Sequence, residues 1–195
     1  MNKFLTLTIA MLLSVVCFGQ KKIGSYSCSY FHDERYVAYS TESNQYYVQI
    51  FGESSTRECI FVIKDIDNFR QSLAEVKKKY EEWCNVAKAN KVTSMDKDMD
   101  IKFKSGDFAW MFGSNWYFNF FATPKPRFLI TSDGEYLCLL FSGKEFESSS
   151  NEYITEKAYW VFSSLSEIEE LENAISLETL QKFKESEKSK DDLFR

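Results

Sequence analysis

The sequence predicts an α+β protein in which antiparallel sheets are packed by two main helices. Three observations indicate this class: short apolar-alternating runs separated by polar turns, one long helical stripe, and a second capped helix near the C-terminus. Of the 195 residues, 44% are hydrophobic and 27% are charged, which is typical of a globular chain rather than a disordered one. We therefore expect a single domain over residues 20–195, in which a charged tail over residues 184–195 frays.

Four short strands are predicted before the first helix, and their tight links favour an antiparallel meander. The first alternates aromatic or cysteine residues with serines, and the last is apolar and β-branched enough for a central position. A polar turn over residues 41–44 separates the middle two. The predicted strands cover residues 25–30, 35–40, 45–51 and 59–63.

A helical stripe follows these strands. Its apolar members recur at steps of three and four, and they are Ile66, Phe69, Leu73, Val76, Tyr80, Trp83 and Ala87. Asp65 or Asp67 is the expected N-cap. The stripe is also compatible with a coiled-coil seam, but the bulk of Tyr80 and Trp83 favours packing against the chain's own sheet.

The second half begins with a polar linker over residues 90–100 and then returns to strands. Asp133-Gly134 between two apolar runs predicts a hairpin, and residues 143–152 form an acidic, serine-rich loop. A capped helix starts at Ser166, with Glu169 completing the capping box, and a further short helix reaches residue 183. The predicted strands cover residues 101–104, 107–112, 116–122, 128–131, 136–141 and 158–162.

One pattern occurs twice. Ile60–Ile63 leads into a capped helix, and Tyr159–Phe162 does the same, so residues 24–90 and 100–183 can be read as half-repeats of four strands and a helix. This arrangement resembles the tandem topology of the Whirly and PUR-type single-strand binders, and the resemblance concerns the fold alone. The alternative is that the match of one strand and one helix start is accidental.

The N-terminus predicts export. Met1–Lys3 is a short positive segment, and the uncharged run from Phe4 to Val16 is shorter than the roughly 20 residues that span a bilayer. Cys17-Phe18-Gly19 fits a cleavage site, so residues 1–19 read as a signal peptide and the protein as periplasmic or secreted, without a membrane span. A lipid anchor on Cys17 is the less favoured alternative, because a small residue would be expected before that cysteine.

Charge argues against a nucleic-acid partner. The formal net charge is −5, and the one basic run, Lys77-Lys78-Lys79, lies in a helix interleaved with glutamates. Nucleic-acid binding needs a basic patch or stripe, which this sequence lacks.

Cys28, Cys59, Cys84 and Cys138 follow the predicted leader. In an oxidising compartment they permit two disulfides in three possible pairings. The alternative is that they are buried thiols, because each lies among apolar residues. No CxxC occurs, which removes support for a thioredoxin-like or four-cysteine zinc site.

Several chemistries are excluded by composition. The single histidine, His32, rules out sites that need two, and the 7 glycines form neither a P-loop nor a dinucleotide-binding fingerprint. Asp96, Asp98, Asp100 and Asp107 are spaced like calcium ligands, but Ile101 stands where that loop needs glycine. We expect no metal and no cofactor.

Aromatic residues concentrate between Phe108 and Phe121, which read as two strands turning at residues 113–115. The favoured interpretation is a buried central hairpin. The functional interpretation is an exposed platform for ligand binding, formed by Trp110, Trp116 and Tyr117.

By elimination, the sequence favours an exported, non-catalytic module of the envelope or secreted space that binds a protein or glycan. One alternative is a small hydrolase with a carboxylate pair drawn from Glu145, Glu147, Glu152 and Glu156. Another is an inhibitor of a foreign enzyme that presents residues 143–152 as a rigid loop.

Overall fold

The computed structural model of the protein describes residues 20–53 and 58–192, and the predicted leader at residues 1–19 lies outside them. The described chain is an α+β fold, mostly antiparallel sheet with three α-helices, as predicted for the fold class. A 3₁₀ turn, Ser29–Phe31, joins the first two strands. The elements are β1 (Gln20–Cys28), β2 (Asp33–Ser40), β3 (Gln45–Gly52), β4 (Cys59–Ile63), α1 (Ile66–Ala89), β5 (Met95–Asp98), β6 (Gly106–Phe112), β7 (Asn115–Ala122), β8 (Arg127–Ile130), β9 (Tyr136–Ser148), β10 (Asn151–Phe162), α2 (Leu165–Ala174) and α3 (Leu177–Asp192).

The strands form one sheet in the order β5-β8-β9-β10-β3-β4-β6-β7, and β1 and β2 branch from β3. One edge of β3 pairs with β4 from Tyr46 to Ile50. The other edge is shared: residues 45–48 pair with β2, and Phe51 and Gly52 pair with β10. Strand β3 is therefore the branch point of the sheet.

The sheet curls so that its last strand, β7, meets the tip of the β9–β10 hairpin. The backbone N–H of Ser149 donates to the carbonyl of Phe118 at 2.7 Å. The side-chain amide of Asn119 donates to the carbonyl of Glu147 at 2.9 Å. These two hydrogen bonds connect strands that lie at distant positions in the sheet order.

Helix α1 packs its predicted stripe into the main core. Asp65 is the N-cap, because its carboxylate accepts from the backbone N–H of Asn68 at 2.9 Å. The ring of Phe69 stacks on Trp160 of β10 at a centroid distance of 5.7 Å, and Phe61 of β4 contacts the same indole at 5.6 Å. Burial of such large side chains is the main favourable contribution to folding.

Helix α2 is attached to β1 by carboxylates. Glu170 accepts from the backbone N–H of Ser27 at 2.7 Å, and the buried Glu167 accepts from those of Ser29 and Ser163 at 2.9 and 2.6 Å. The predicted cap at Ser166 is wrong by two residues: Ser164 is the N-cap and accepts from Glu167 N–H. Both candidates are serines, and the pattern alone does not distinguish them.

Two segments differ from the sequence prediction. The predicted loop over residues 143–152 is instead the continuation of β9 and β10, which pair as far as Asn151 and Ser148. The predicted strand over residues 101–104 is absent, and Met95–Asp98 forms the strand β5 on the edge of β8. Phe103, which suggested that strand, is a buried loop residue whose ring contacts Phe69 at 5.2 Å.

The structure does not confirm the half-repeats. Six described strands follow α1 rather than four, and β3 and β4 lie between β10 and β6 in the sheet order. Strands β1 to β4 pair consecutively, but the strands of the second half lie on both sides of β3 and β4 and do not form a sheet of their own. Helix α3 continues through the charged segment to Asp192. Within the described residues, the search for a helix long and apolar enough to cross a membrane found no candidate.

The packing of α1 into the core predicts that two leucine-to-alanine substitutions differ in their effect on stability. We expect Leu73→Ala, at a fully buried position of α1, to lower the free energy of unfolding by about 2–5 kcal/mol, because it leaves a cavity. The matched control Leu177→Ala, where the leucine is 63% exposed, should change it by less than about 0.5 kcal/mol. Urea denaturation followed by circular dichroism measures both, and equal losses would contradict this description of the core.

Candidate functional site

The structure separates the three aromatic residues proposed as a ligand platform. Trp110 is 0% exposed, and its ring stacks on Phe108 in the main core. Tyr117 is partly buried against that same core, whereas Trp116 packs on the opposite face of the sheet. The hairpin is therefore part core and part surface, and ligand binding by these residues stays a prediction.

A different set of aromatic side chains shares the outer face of β7, the face turned away from α1. We define the β7 surface as Trp116, Phe118 and Phe120. The rings of Phe118 and Phe120 are nearly parallel, with an interplanar angle of 12° and centroids 6.0 Å apart. The side chain of Phe120 is 45% exposed, and Phe121, next along the strand, is 77% exposed. Sequence reasoning missed the phenylalanines because it favoured aromatic residues that carry a polar atom.

Local sequence explains how β7 presents these rings. Gly113 has a φ of +64°, a conformation that suits glycine, and it closes the tight turn between β6 and β7. Alternation along the strand then sends Trp116, Phe118 and Phe120 to one face. Trp116 and Phe118 pack over small and branched residues of the neighbouring strands, namely Ala38, Ile60, Val62 and Ala109. Among the described strands, only β6 pairs with β7, so β7 is an edge strand.

Two of the four acids proposed for hydrolysis, Glu145 and Glu156, are engaged in structural contacts. Glu156 is buried, and its carboxylate accepts from the backbone N–H groups of Glu53 and Lys157 at 2.9 and 3.0 Å. Glu145 accepts from the hydroxyl of Thr155 at 2.9 Å, whereas Glu147 and Glu152 are exposed. These contacts fasten the β9–β10 hairpin, and the hydrolase alternative stays an untested prediction.

Three of the four aspartates with calcium-like spacing lie on two separate strands, and Asp100 lies in the loop between them. Asp96 and Asp98 are on β5 and form ion pairs with Arg127 at 2.6 and 3.3 Å. Asp107 is on β6 beside Lys64, at 2.5 Å, and partial burial raises the pKa of this carboxyl. In the described part of the chain, no group of three or more His, Cys, Asp or Glu side chains could hold a metal ion.

The cysteines after the predicted leader are thiols in the structure, with no disulfide among the described residues. The Cys28 thiol donates to the carbonyl of Val161 at 3.1 Å, and burial raises its pKa to about 11. Burial also raises the pKa of Cys138, on β9, and of the half-buried Cys84, on α1. Because the thiolate is the reactive form, all three are poor nucleophiles.

His32 occupies a tight turn. Its backbone N–H donates to the carbonyl of Ser29 at 3.0 Å, and its φ of +53° places it in the left-handed region. This turn connects β1 to β2, as expected for a hairpin tip. The thiol of Cys28, four residues earlier, is bonded instead to Val161.

Comparison with protein families, curated proteins and solved structures finds no match to this chain. Evidence about its function therefore comes from its own surfaces. Of the features predicted from sequence, the aromatic hairpin is the one that presents large apolar side chains to solvent. Local structural contacts are made by Glu145, Glu156, Asp96, Asp98, Asp107 and His32.

The burial of the thiols predicts an order of alkylation. In the chain from Gln20 onward, iodoacetamide at pH 8 should modify Cys84 before Cys28 and Cys138, because Cys84 is the least buried of the three. In denaturant without reductant, all four cysteines should be alkylated. Mass spectrometry of proteolytic fragments measures both, and a pair that stays unmodified in denaturant would instead support the disulfides that the sequence allows.

Proposed function

We propose that the chain is an exported, non-catalytic module that binds a protein partner through the β7 surface. The observation that carries the proposal is the row of aromatic rings on one face of an edge strand, in which Phe120 is 45% exposed. Export rests on the predicted leader, and the partner is expected in the periplasm or outside the cell.

The exposed rings give the surface its potential binding energy. Burying one phenylalanine completely stabilises a fold or complex by about 1.5–3 kcal/mol relative to leaving it in water. Scattered exposed apolar residues are common, but contiguous ones mark contact sites more often. Here the rings of Phe118 and Phe120 are adjacent and nearly parallel, and Trp116 lies on the same face.

The edge position of β7 adds a second mode of recognition. An edge strand offers backbone N–H and carbonyl groups to an incoming strand, while its side chains supply specificity. The hairpin tip contacts β7 at Phe118 and Asn119, and Lys64 reaches the carbonyl of Phe120 at 3.4 Å. These contacts limit where a partner strand could pair, so side-chain packing is the larger expected contribution.

The surroundings of the β7 surface favour a protein over a glycan. Sugar recognition combines a ring with hydrogen-bonding side chains, but the neighbouring core positions on this face are apolar. The two nearby tyrosine hydroxyls are engaged: Tyr36 donates to Glu58, and Tyr47 shares a hydrogen bond with Ser43 at 3.1 Å. A protein surface with apolar side chains matches this environment better.

The inhibitor alternative has one supporting feature. Residues 143–152 belong to a long β-hairpin, whose turn lies at Ser149 and Ser150. Tyr153, beside that turn, is 88% exposed, which gives the hairpin an anchor that an enzyme cleft could accept. This feature is separate from the β7 surface, so the two proposals predict different contact residues.

A matched pair of substitutions tests the proposal. Partners captured from the exporting cell's envelope and medium are identified by a photo-crosslinking residue at position 120. Phe120→Asp should then weaken the purified partner's binding by about 30-fold, the effect of losing a hot spot worth about 2 kcal/mol. Tyr153→Asp, which also replaces an exposed aromatic ring, should leave affinity unchanged.

The same experiment distinguishes the alternatives. Loss of binding in Tyr153→Asp but not in Phe120→Asp would reject the β7 surface and favour the hairpin tip. Glycan binding that depends on Trp116 would reject the protein partner. Both aspartate variants should unfold within about 0.5 kcal/mol of the parent protein, because both positions are exposed.

A further inference from the structure

A groove lies on the outer face of the sheet, over β8, β9 and β10. We define the outer groove by its apolar floor of Leu129, Leu137, Leu139 and Val161, and by its walls of Tyr30, Phe31 and Tyr159. Its volume is about 340 Å³. Sites for small molecules are mostly apolar concavities of about 300–1,000 Å³ with a few polar groups, and the outer groove falls at the lower end of that range.

The wall of the outer groove is held by contacts among the protein's own side chains. Phe31 stacks on Phe51 with centroids 4.0 Å apart, and Tyr30 meets Phe31 edge-on at 5.0 Å. The guanidinium of Arg35 lies 3.6 Å from the centre of the Phe51 ring, so a cation–π contact holds this ring as well. A wall that is ordered in advance lowers the entropic cost of binding.

One end of the outer groove is polar and adjoins a second cavity. Arg127 and Ser142 line both the groove and this neighbouring cavity, which has a volume of about 260 Å³. Lys125 and Lys144 line the second cavity, together with Asp98. We call this second cavity the cationic end.

The charges at the cationic end are only partly balanced. Arg127 bonds both carboxylate oxygens of Asp96 at 2.6 Å and lies 3.3 Å from Asp98. Among the described residues, neither Lys125 nor Lys144 has an ion-pair partner within 4.0 Å, and Lys144 lies over an aromatic ring, that of Phe146, at 4.7 Å. Two aspartates against three cations leave one positive charge, on a chain whose net charge is −5.

We propose that the outer groove and the cationic end form one bipartite site for a small amphipathic monoanion, an aliphatic carboxylate. The hydrocarbon body lies on Leu129, the floor residue that is not buried, between Tyr30 and Tyr159. The carboxylate accepts from Lys125, Lys144 and the hydroxyl of Ser142. The single surplus charge matches a monoanion, and a dianionic phosphate is disfavoured because Asp96 and Asp98 stand at the same end.

Calorimetric titration tests the apolar half of the proposed site, the outer groove. Hexanoate, octanoate and decanoate are titrated in turn into the chain from Gln20 onward. Each added methylene that reaches the floor is worth about 0.8 kcal/mol, so each should tighten binding up to about fourfold. Tyr30→Ala removes an exposed part of the wall and should weaken every member of the series. Affinity independent of chain length would overturn the proposal.

The cationic end is tested by comparing decanoate with decanol. The double variant K125Q/K144Q should weaken decanoate about three- to tenfold and leave decanol unchanged, since two partly exposed charges contribute modestly. Added salt should weaken decanoate for the same reason. Equal affinity for decanoate and decanol in the parent chain would overturn the proposed anion selectivity.

A control outside the groove keeps this site distinct from the β7 surface. Phe120→Asp should leave decanoate binding unchanged, whereas a loss comparable to that of Tyr30→Ala would place the ligand on the β7 surface and reject the outer groove. Absence of binding by the folded parent chain rejects the bipartite site outright. Neither result bears on partner binding through Phe120, which is measured separately.

Discussion

The sharing of one edge of β3 between two partners determines the shape of the molecule. Strand β10 joins β3 through Ala158 and Tyr159 only, after β2 has used the earlier part of the same edge. The junction leaves no room beside Gly52, because an added Cβ there would lie 2.6 Å from the sulfur of Cys59. Glu156 supports the junction through its bonds to the backbone N–H groups of Glu53 and Lys157. The sheet consequently divides into two arms that share one core.

Aromatic residues make up 17% of the chain. The division of the sheet explains how they form both the core and the exposed groups on the outer face. On the inner face they form a connected set of rings around Trp160, which contacts Phe61, Phe69 and Phe141. On the outer face no helix covers the sheet in the contacts described, and the side chains there cluster in two separate groups, one around β7 and one under Phe31. The two proposed sites correspond to these two groups, one at each arm.

The sequence predicts best the elements whose signal is local. The α1 stripe and its Asp65 cap follow from helical periodicity, and alternation correctly divides the aromatic hairpin into faces. The sequence pattern does not determine which face of this hairpin is buried, because Trp110 and Trp116 both lie among aromatic neighbours. The position of α1 decides it. Strand β5 was missed because its four residues are all exposed and polar except Met95. The outer groove depends on pairing between β5, β8 and β9, which no local pattern encodes.

The carboxylates that hold β1 have a consequence for the order of folding. Ser27 and Glu170, whose hydrogen bond fastens this strand, are separated by 143 positions. As the chain emerges from a ribosome or a translocation pore, β1 appears first and its α2 acceptors appear nearly last. Strand β1 can pair with β2 as soon as β2 has emerged, but the backbone N–H of Ser27 has no α2 acceptor until almost the whole chain is available. Such long-range closure slows folding and extends the time during which apolar strands are exposed to aggregation or to a chaperone.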